Sequence, residues 1–228
     1  MVLNEKKTKC MVFNRSKRFQ FTTDIQLKDK KLDIVDETKL LGVIITNDLR
    51  WNKNTESLVK NANAKMRMLQ VASKFIKNKN DLLHIYKTFI RSRLEFASVV
   101  WHSGLTRTNE KDLERVQKSA LKLILKEAYS DYSSALKLLD VESLVERRKK
   151  LSLKFAKKCL QNENFKRLFP LRKNSHVMDK RKTEKFLIKN CNTESYKKSA
   201  IPLMLTLMVR GGHIVPALFS DACCQALS

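Results

Sequence analysis

Glycine and proline are scarce in this sequence, four and three among 228 residues. So few turn-formers argue against a Gly-rich phosphate loop, a turn-dense all-β sandwich or a collagen-like chain, and favour long helices. Acidic residues are also few. Asp and Glu number 23 against 47 Lys and Arg, a net charge of +24 with a pI near 10.0. That excess is more than solubility requires and points to polyanionic partners. Long hydrophobic runs are missing: the longest, from Ala200 to Val209, carries Pro202 and Thr206 and is well short of the ~20 residues of a membrane span. No membrane association is therefore expected. The first ten residues hold Lys6, Lys7 and Lys9 where a secretory signal needs an apolar stretch. The five cysteines (10, 159, 191, 223 and 224) are odd in number and irregularly spaced, so an intracellular chain, nuclear or cytoplasmic, with reduced thiols is expected.

An apolar fraction of 43% supplies a real core for one domain or two small ones. Charge is uneven along the chain. After Met208 there is one cation, Arg210, and one anion, Asp221, so the first 208 residues carry the whole positive excess. Gly211, Gly212, Cys223 and Cys224 also fall in this last stretch. The composition suggests a basic body and an unrelated, poorly ordered tail over 209–228.

Two periodicities divide the body. Residues 10 to 46 read as strands. Cys10-Met11-Val12-Phe13 is a short apolar run, Phe19, Phe21, Thr23, Ile25 and Leu27 alternate with polar neighbours, and Leu32, Ile34 and Lys39–Ile45 complete a small antiparallel sheet. Gly42, inside the last strand, suggests close approach of another group to the backbone. From about Thr55 the period becomes helical. Leu58, Ala62, Met66, Leu69, Ala72 and Ile76 form one stripe, and Leu83, Tyr86, Ile90, Leu94, Ala97 and Trp101 form a second that ends at Gly104, a left-handed cap. A third helix starts near Asn109 as N-cap and carries Leu113, Val116, Ala120 and Leu123. A short fourth spans Tyr132–Leu139. The fifth opens on the capping box Ser143–Glu146 and runs through Leu144, Arg148, Leu151, Phe155 and Cys159.

Chemistry-bearing patterns are few. No Cys-x-x-Cys, His-x-x-x-His or Gly-x-Ser-x-Gly occurs, and there is no Asp-Asp pair; Asp36-Glu37 is the nearest and reads as an exposed turn. His84 and His102 read as packing or capping residues, and Trp51 and Trp101 as core. No metal or cofactor is expected.

The order of motifs, however, resembles a known family. Leu3-Asn4-Glu5-Lys6-Lys7-Thr8 with Met11-Val12-Phe13 is similar to motif D of reverse transcriptases from non-LTR retrotransposons of the Jockey and chicken-repeat type. Lys39–Ile45 followed by Asp48-Leu49-Arg50-Trp51 resembles their motif E, the primer grip. Tyr86–Ala97 with Val100-Trp101-His102, Leu113–Leu121 and Ser143–Arg148 resemble successive thumb helices, and Thr193–Pro202 resembles the closing segment of such reading frames. The resemblance runs from Leu3 to about Met208.

It implies an α+β architecture: a small antiparallel sheet left from the palm over 1–50, a helical thumb over 51–165, a basic closing segment over 166–208 and the tail over 209–228. It also implies RNA-directed DNA polymerase as the parent activity, but the acids of motifs A and C, which hold the two metal ions, are not in this sequence. The chain is therefore expected to be no enzyme and to retain phosphate-directed binding of RNA or DNA. Lys7 matches the motif D lysine, and Leu41, Gly42 and Val43 match the primer-grip turn. Lys60, Lys65, Arg67, Lys74, Arg91, Arg93, Lys118 and Lys122 are the candidate phosphate contacts. Two other readings are open. Leu41–Lys126 also resembles the small domain ahead of AlkB-type dioxygenases, in an RNA-modification context, although no His-x-Asp iron motif occurs. The basic amphipathic helices could instead serve a domesticated interaction protein on anionic membranes.

Overall fold

The computed structural model describes residues 8–13, 24–27, 30–169, 186 and 193–209. The described chain is mainly helical, with strands confined to the N-terminal part, and divides into two compact units after Arg148.

Among the described residues the strands do not join into one sheet. β1 (Lys9–Cys10) pairs with β4 (Asp33–Ile34) in parallel, and β2 (Gln26–Leu27) pairs with β3 (Lys30–Lys31) antiparallel. β5 (Glu37–Leu40) and β6 (Val43–Thr46) form an antiparallel hairpin in the register Glu37↔Thr46 to Leu40↔Val43. The single antiparallel sheet expected from the alternation is therefore three separate two-stranded pieces, one of them parallel. Phe19, Phe21 and Thr23 lie outside the described residues. Lys39–Ile45 is likewise not one strand. It folds back at Leu41-Gly42, whose φ angles of +47° and +89° are both left-handed, as a two-residue hairpin turn matched to strand twist requires.

In the first unit the helical stripes become the core. α1 (Asn52–Phe75) buries Leu58, Ala62, Met66 and Leu69. No side chain caps its N-terminus; the Thr55 N–H and hydroxyl both donate to Trp51 O at 2.9 Å. An N–H from β6 joins it to the hairpin, Ile44 N donating to Asn54 Oδ1 at 3.1 Å.

The second stripe, expected as one helix to Trp101, is segmented. α2 (Lys79–Ile85) is capped by Asn78 and continues through a π-helical stretch, Tyr86–Arg91, into α3 (Ser92–Leu94). The chain then breaks at Ala97, φ +49°, before α4 (Ser98–Trp101). The Trp101 indole N–H donates to Phe96 O at 2.9 Å, taking up a carbonyl that the broken helix leaves without its own partner. The π-helical stretch keeps Tyr86, Ile90 and Leu94 fully buried in spite of the segmentation. Gly104 is not a left-handed cap, because it has no positive φ. Its requirement is steric: a Cβ there would lie 2.5 Å from the Trp51 indole nitrogen.

α5 (Arg107–Leu125) is capped by Thr106, whose Oγ1 accepts from Asn109 N at 3.2 Å. Asn109, expected as the cap, is instead buried inside the first turn, and its amide donates to Asn52 Oδ1 at 2.8 Å. α5 buries Leu113, Val116, Ala120, Leu121 and Ile124. α6 (Tyr132–Leu138) is capped by Asp131. α7 (Leu144–Gln161) opens on the expected capping box: Glu146 N donates to Ser143 Oγ at 3.2 Å, and Ser143 N to Glu146 Oε2 at 3.4 Å.

In the second unit, α7 buries Ser152, Ala156 and Cys159, while Phe155, on the expected apolar stripe, is 47% exposed. α8 (Glu163–Lys166) follows, then α9 (Glu194–Lys197) and α10 (Ala200–Val209). Pro202 sits in the first turn of α10, where a missing N–H costs no helical hydrogen bond. The tail beyond Val209 lies outside the described residues.

Candidate nucleic-acid interface

The candidate cations sort by their surroundings. On α1, Lys60, Arg67 and Lys74 follow one another at intervals of seven, two helical turns and about 10.5 Å, so they share a face, and all three are exposed. Lys65 is exposed as well but lies around the helix from that stripe. On α5, Lys118 and Lys122 are one turn apart and exposed, with Lys111 and Arg115 on the same side. Lys60, Lys65, Arg67, Lys74, Lys118 and Lys122 make no ion pair among the described residues. Their charge is open to an incoming anion.

α1 and α5 enclose a shallow hollow of about 550 Å³, lined by Arg67, Gln70, Val71, Ser73, Lys74 and Leu123. Lys126 closes α5 with a left-handed φ of +51°, and its ammonium donates to Ser73 O at 2.8 Å, pinning the two helix ends together. The hollow thus brings Arg67 and Lys74 beside the part of α5 that carries Lys122.

The hairpin turn is a second, separate feature of this unit. Leu41 is 89% exposed at the tip, and the ring of Phe96 lies where a Cβ on Gly42 would stand, 2.9 Å away. Here the close approach expected at Gly42 is observed, at a turn rather than within a strand. Arg93 is exposed nearby in sequence, and its carbonyl accepts from Phe96 N at 3.4 Å. Val43 is buried in the core and offers no surface. Lys7 lies outside the described residues.

Arg91 is placed differently from the other candidates. Its side chain is only 16% exposed and faces Glu95 at 3.8 Å. Burial, followed by the like charge of Arg147, lowers its pKa, with Glu95 opposing. Glu95 also takes two bonds from Arg147, a close contact to Nε and 3.0 Å to Nη2. That pairing raises the pKa of Arg147. Arg91 is thus committed within the unit, whereas Lys60, Lys65, Arg67, Lys74, Lys118 and Lys122 are not.

Beneath these surfaces runs a buried polar network that sequence reasoning did not detect. Gln117 is fully buried. Its Oε1 accepts from Tyr86 Oη at 2.5 Å, and its Nε2 donates to Tyr132 Oη and Glu142 O, both at 2.9 Å. Tyr132 in turn donates to Glu114 Oε2 at 2.6 Å, and Glu114 Oε1 accepts Val145 N at 3.1 Å. Burial above all holds both tyrosines in the phenol form: it raises Tyr86 well above its ordinary value and, helped by Glu114, raises Tyr132 too. Arg148 is also fully buried. Its Nε donates to His102 Nδ1 at 3.3 Å and its guanidinium lies 5.9 Å from the centre of the Trp101 ring, while Nη1 and Nη2 meet no partner among the described residues. The only sequence signal for these groups was polarity at positions on apolar stripes, as at Arg148.

Among the described residues no group of His, Cys, Asp and Glu is arranged to hold a metal ion, and no helix is long and apolar enough to cross a membrane. The geometry offers two helical surfaces bearing exposed cations and an exposed turn with left-handed backbone. Comparison of the chain with family models, with curated proteins and with solved structures finds no match.

Proposed function

We propose that this chain binds RNA or DNA through its phosphates, without sequence preference, and that it corresponds to the palm end and thumb of a non-LTR retrotransposon reverse transcriptase. One observation carries the binding reading: the exposed Lys60, Lys65, Arg67 and Lys74 of α1 and Lys118 and Lys122 of α5 make no ion pair among the described residues, on a chain of net charge +24. Each such cation that meets a phosphate releases a counterion, and binding is driven by that release. The retroelement reading rests on the order of the sequence motifs. The Leu41-Gly42 turn falls at the primer-grip position of that resemblance, and its tip, Leu41, is exposed with a left-handed φ, the kind of feature found at contact sites.

No catalysis is assigned to these 228 residues. Phosphoryl transfer between nucleotides needs carboxylates placed to hold two metal ions about 3.5–4 Å apart, and the sequence holds no Asp-Asp pair. Groups that position a substrate accelerate nothing without a reacting centre to position it against.

The test is titration of a labelled duplex over a range of salt, together with primer extension in magnesium and deoxynucleotides. The expected results are affinity that falls linearly on a log–log plot, by about 0.9 per phosphate engaged, and no extension. A flat salt response would remove the binding proposal, and extension would remove the assignment of no catalysis.

A further inference from the structure

The C-terminal half of α1 combines two properties that its packing does not use. Its inward stripe packs on the core at Met66, Leu69, Ala72 and Ile76, yet Met68, Val71 and Phe75 point outward with 38%, 56% and 79% of their surface exposed. These three lie at i, i+3 and i+7, so they form a continuous apolar strip. Val71 also lines the hollow beside Arg67 and Lys74, and Phe75 follows one turn later. Beyond it the chain leaves the helix at Ile76 and reads Lys77-Asn78-Lys79, with both lysines exposed. The most exposed aromatic of the described residues therefore projects from a helix end that carries Lys74 just before it and Lys77 and Lys79 just after it, two turns beyond Arg67. Of the nearby acids, Asp81 lies in the first turn of α2 and pairs with none of these cations.

Charge and pattern narrow what could cover this strip. A second copy would set Arg67 and Lys74 against like charges. An interfacial membrane helix separates a broad apolar face from its cations, whereas here the broad apolar face is spent on the core and the outer strip is interleaved with cations. A flat ring beside cations at phosphate reach is the arrangement used for unpaired bases: the ring stacks on a base face and the cations take the flanking phosphates. The hollow, at about 550 Å³, lies within the about 300–1,000 Å³ range of small-ligand clefts and leaves room for a neighbouring nucleotide.

We propose that the C-terminal end of α1 is a stacking platform for single-stranded nucleic acid, with Phe75 under an unpaired base and Arg67 and Lys74 on the adjoining phosphates. The proposal rests on the nucleic-acid reading above and adds that the preferred ligand at this site is single-stranded.

The experiment uses the full chain and three labelled probes of equal length: a single-stranded oligonucleotide, the same strand carrying a run of abasic sites, and its duplex. Phe75→Ala is expected to weaken the single strand about tenfold and to leave the abasic strand and duplex unchanged. Phe75→Trp is expected to preserve affinity and to show extra fluorescence quenching on the single strand but not on the abasic one. Equal effects of Phe75→Ala on all three probes, or none on any, would overturn the platform. Duplex binding with its salt dependence would then still stand, which separates this failure from failure of the nucleic-acid reading. Absence of binding to every probe would overturn both. If Phe75→Ala instead lowered partition onto phosphatidylserine–phosphatidylcholine vesicles with single-strand affinity intact, the strip would be a lipid contact and the platform would be wrong.

Discussion

Tyr86 donates its phenol proton to the buried amide of Gln117 across 2.5 Å, and this contact joins the segmented helix region to α5. It leaves no buried polar atom of Gln117 without a partner, since both amide hydrogens are used by Tyr132 and Glu142. A fully satisfied network of this kind specifies how neighbouring helices pack, and a partly satisfied one is costly.

Gln117→Leu should accordingly destabilise the chain by about 2 kcal/mol, because it strands the fully buried Tyr86 hydroxyl. Urea unfolding should show a lower midpoint at unchanged slope. Adding Tyr86→Phe to Gln117→Leu should cost less than the sum of the two single changes, since the hydroxyl is no longer left behind.

Arg148 should respond in the opposite sense. Its guanidinium is buried, bonded through Nε alone among the described residues, and burial lowers its pKa, opposed by Glu114 and Glu110. Replacing so poorly compensated a charge with an apolar side chain of similar length removes a desolvation cost. Arg148→Met is expected to match or exceed the parent in stability, and Arg148→Ala to lose about 2–4 kcal/mol through the cavity it leaves. Thermal or urea melts of the two variants give the comparison, and a large loss in Arg148→Met would contradict it.

The cations should separate in a salt titration. Arg67→Gln and Lys74→Gln should each weaken duplex binding and reduce the log–log salt slope by about 0.9. Arg91→Gln should leave the slope unchanged, because that side chain is occupied with Glu95; its effect should appear in stability instead.

Acid should weaken the fold at two hydrogen-bonded carboxylates. The Thr46 hydroxyl, with the Arg50 N–H and guanidinium, holds Asp48 below its ordinary 3.8 against the opposing effect of burial. The Ser134 hydroxyl and N–H do the same at Asp131. A carboxyl depressed in the folded state contributes its full stabilisation above the unfolded value and loses it as pH falls through the folded one. Unfolding midpoints should therefore hold near neutrality and decline below about pH 4. Asp131→Asn, which keeps a capping oxygen, should make that decline shallower.

Leu41→Asn tests the turn. Asparagine accepts a left-handed φ more readily than leucine, and Leu41, at 89% exposure, gives up almost no packing. The hairpin should gain up to about 1 kcal/mol, read as slower amide exchange at Val43 and Ile45, whose N–H groups face the partner strand in this register. If the tip is a nucleic-acid contact, affinity should fall while stability rises.

The sequence by itself determined the helical stripes, because burial of Leu58, Ala62, Met66 and Leu69, or of Leu113, Val116 and Ala120, follows from a period that any amphipathic helix must obey. It also determined the capping box at Ser143 and Glu146, a local exchange of hydrogen bonds, and the excess of positive charge. Only the tertiary structure decided the rest. Whether Gly42 stands in a strand or a turn depends on which residues pair across the hairpin. The need for Gly104 comes from Trp51, fifty-three positions away, and the break at Ala97 comes with the indole of Trp101 folding back to Phe96. Arg91 and Arg67 are the same residue type on helical segments, and composition cannot tell them apart. Glu95 beside one and open solvent around the other are facts of packing, and packing decides which charge is left for a partner.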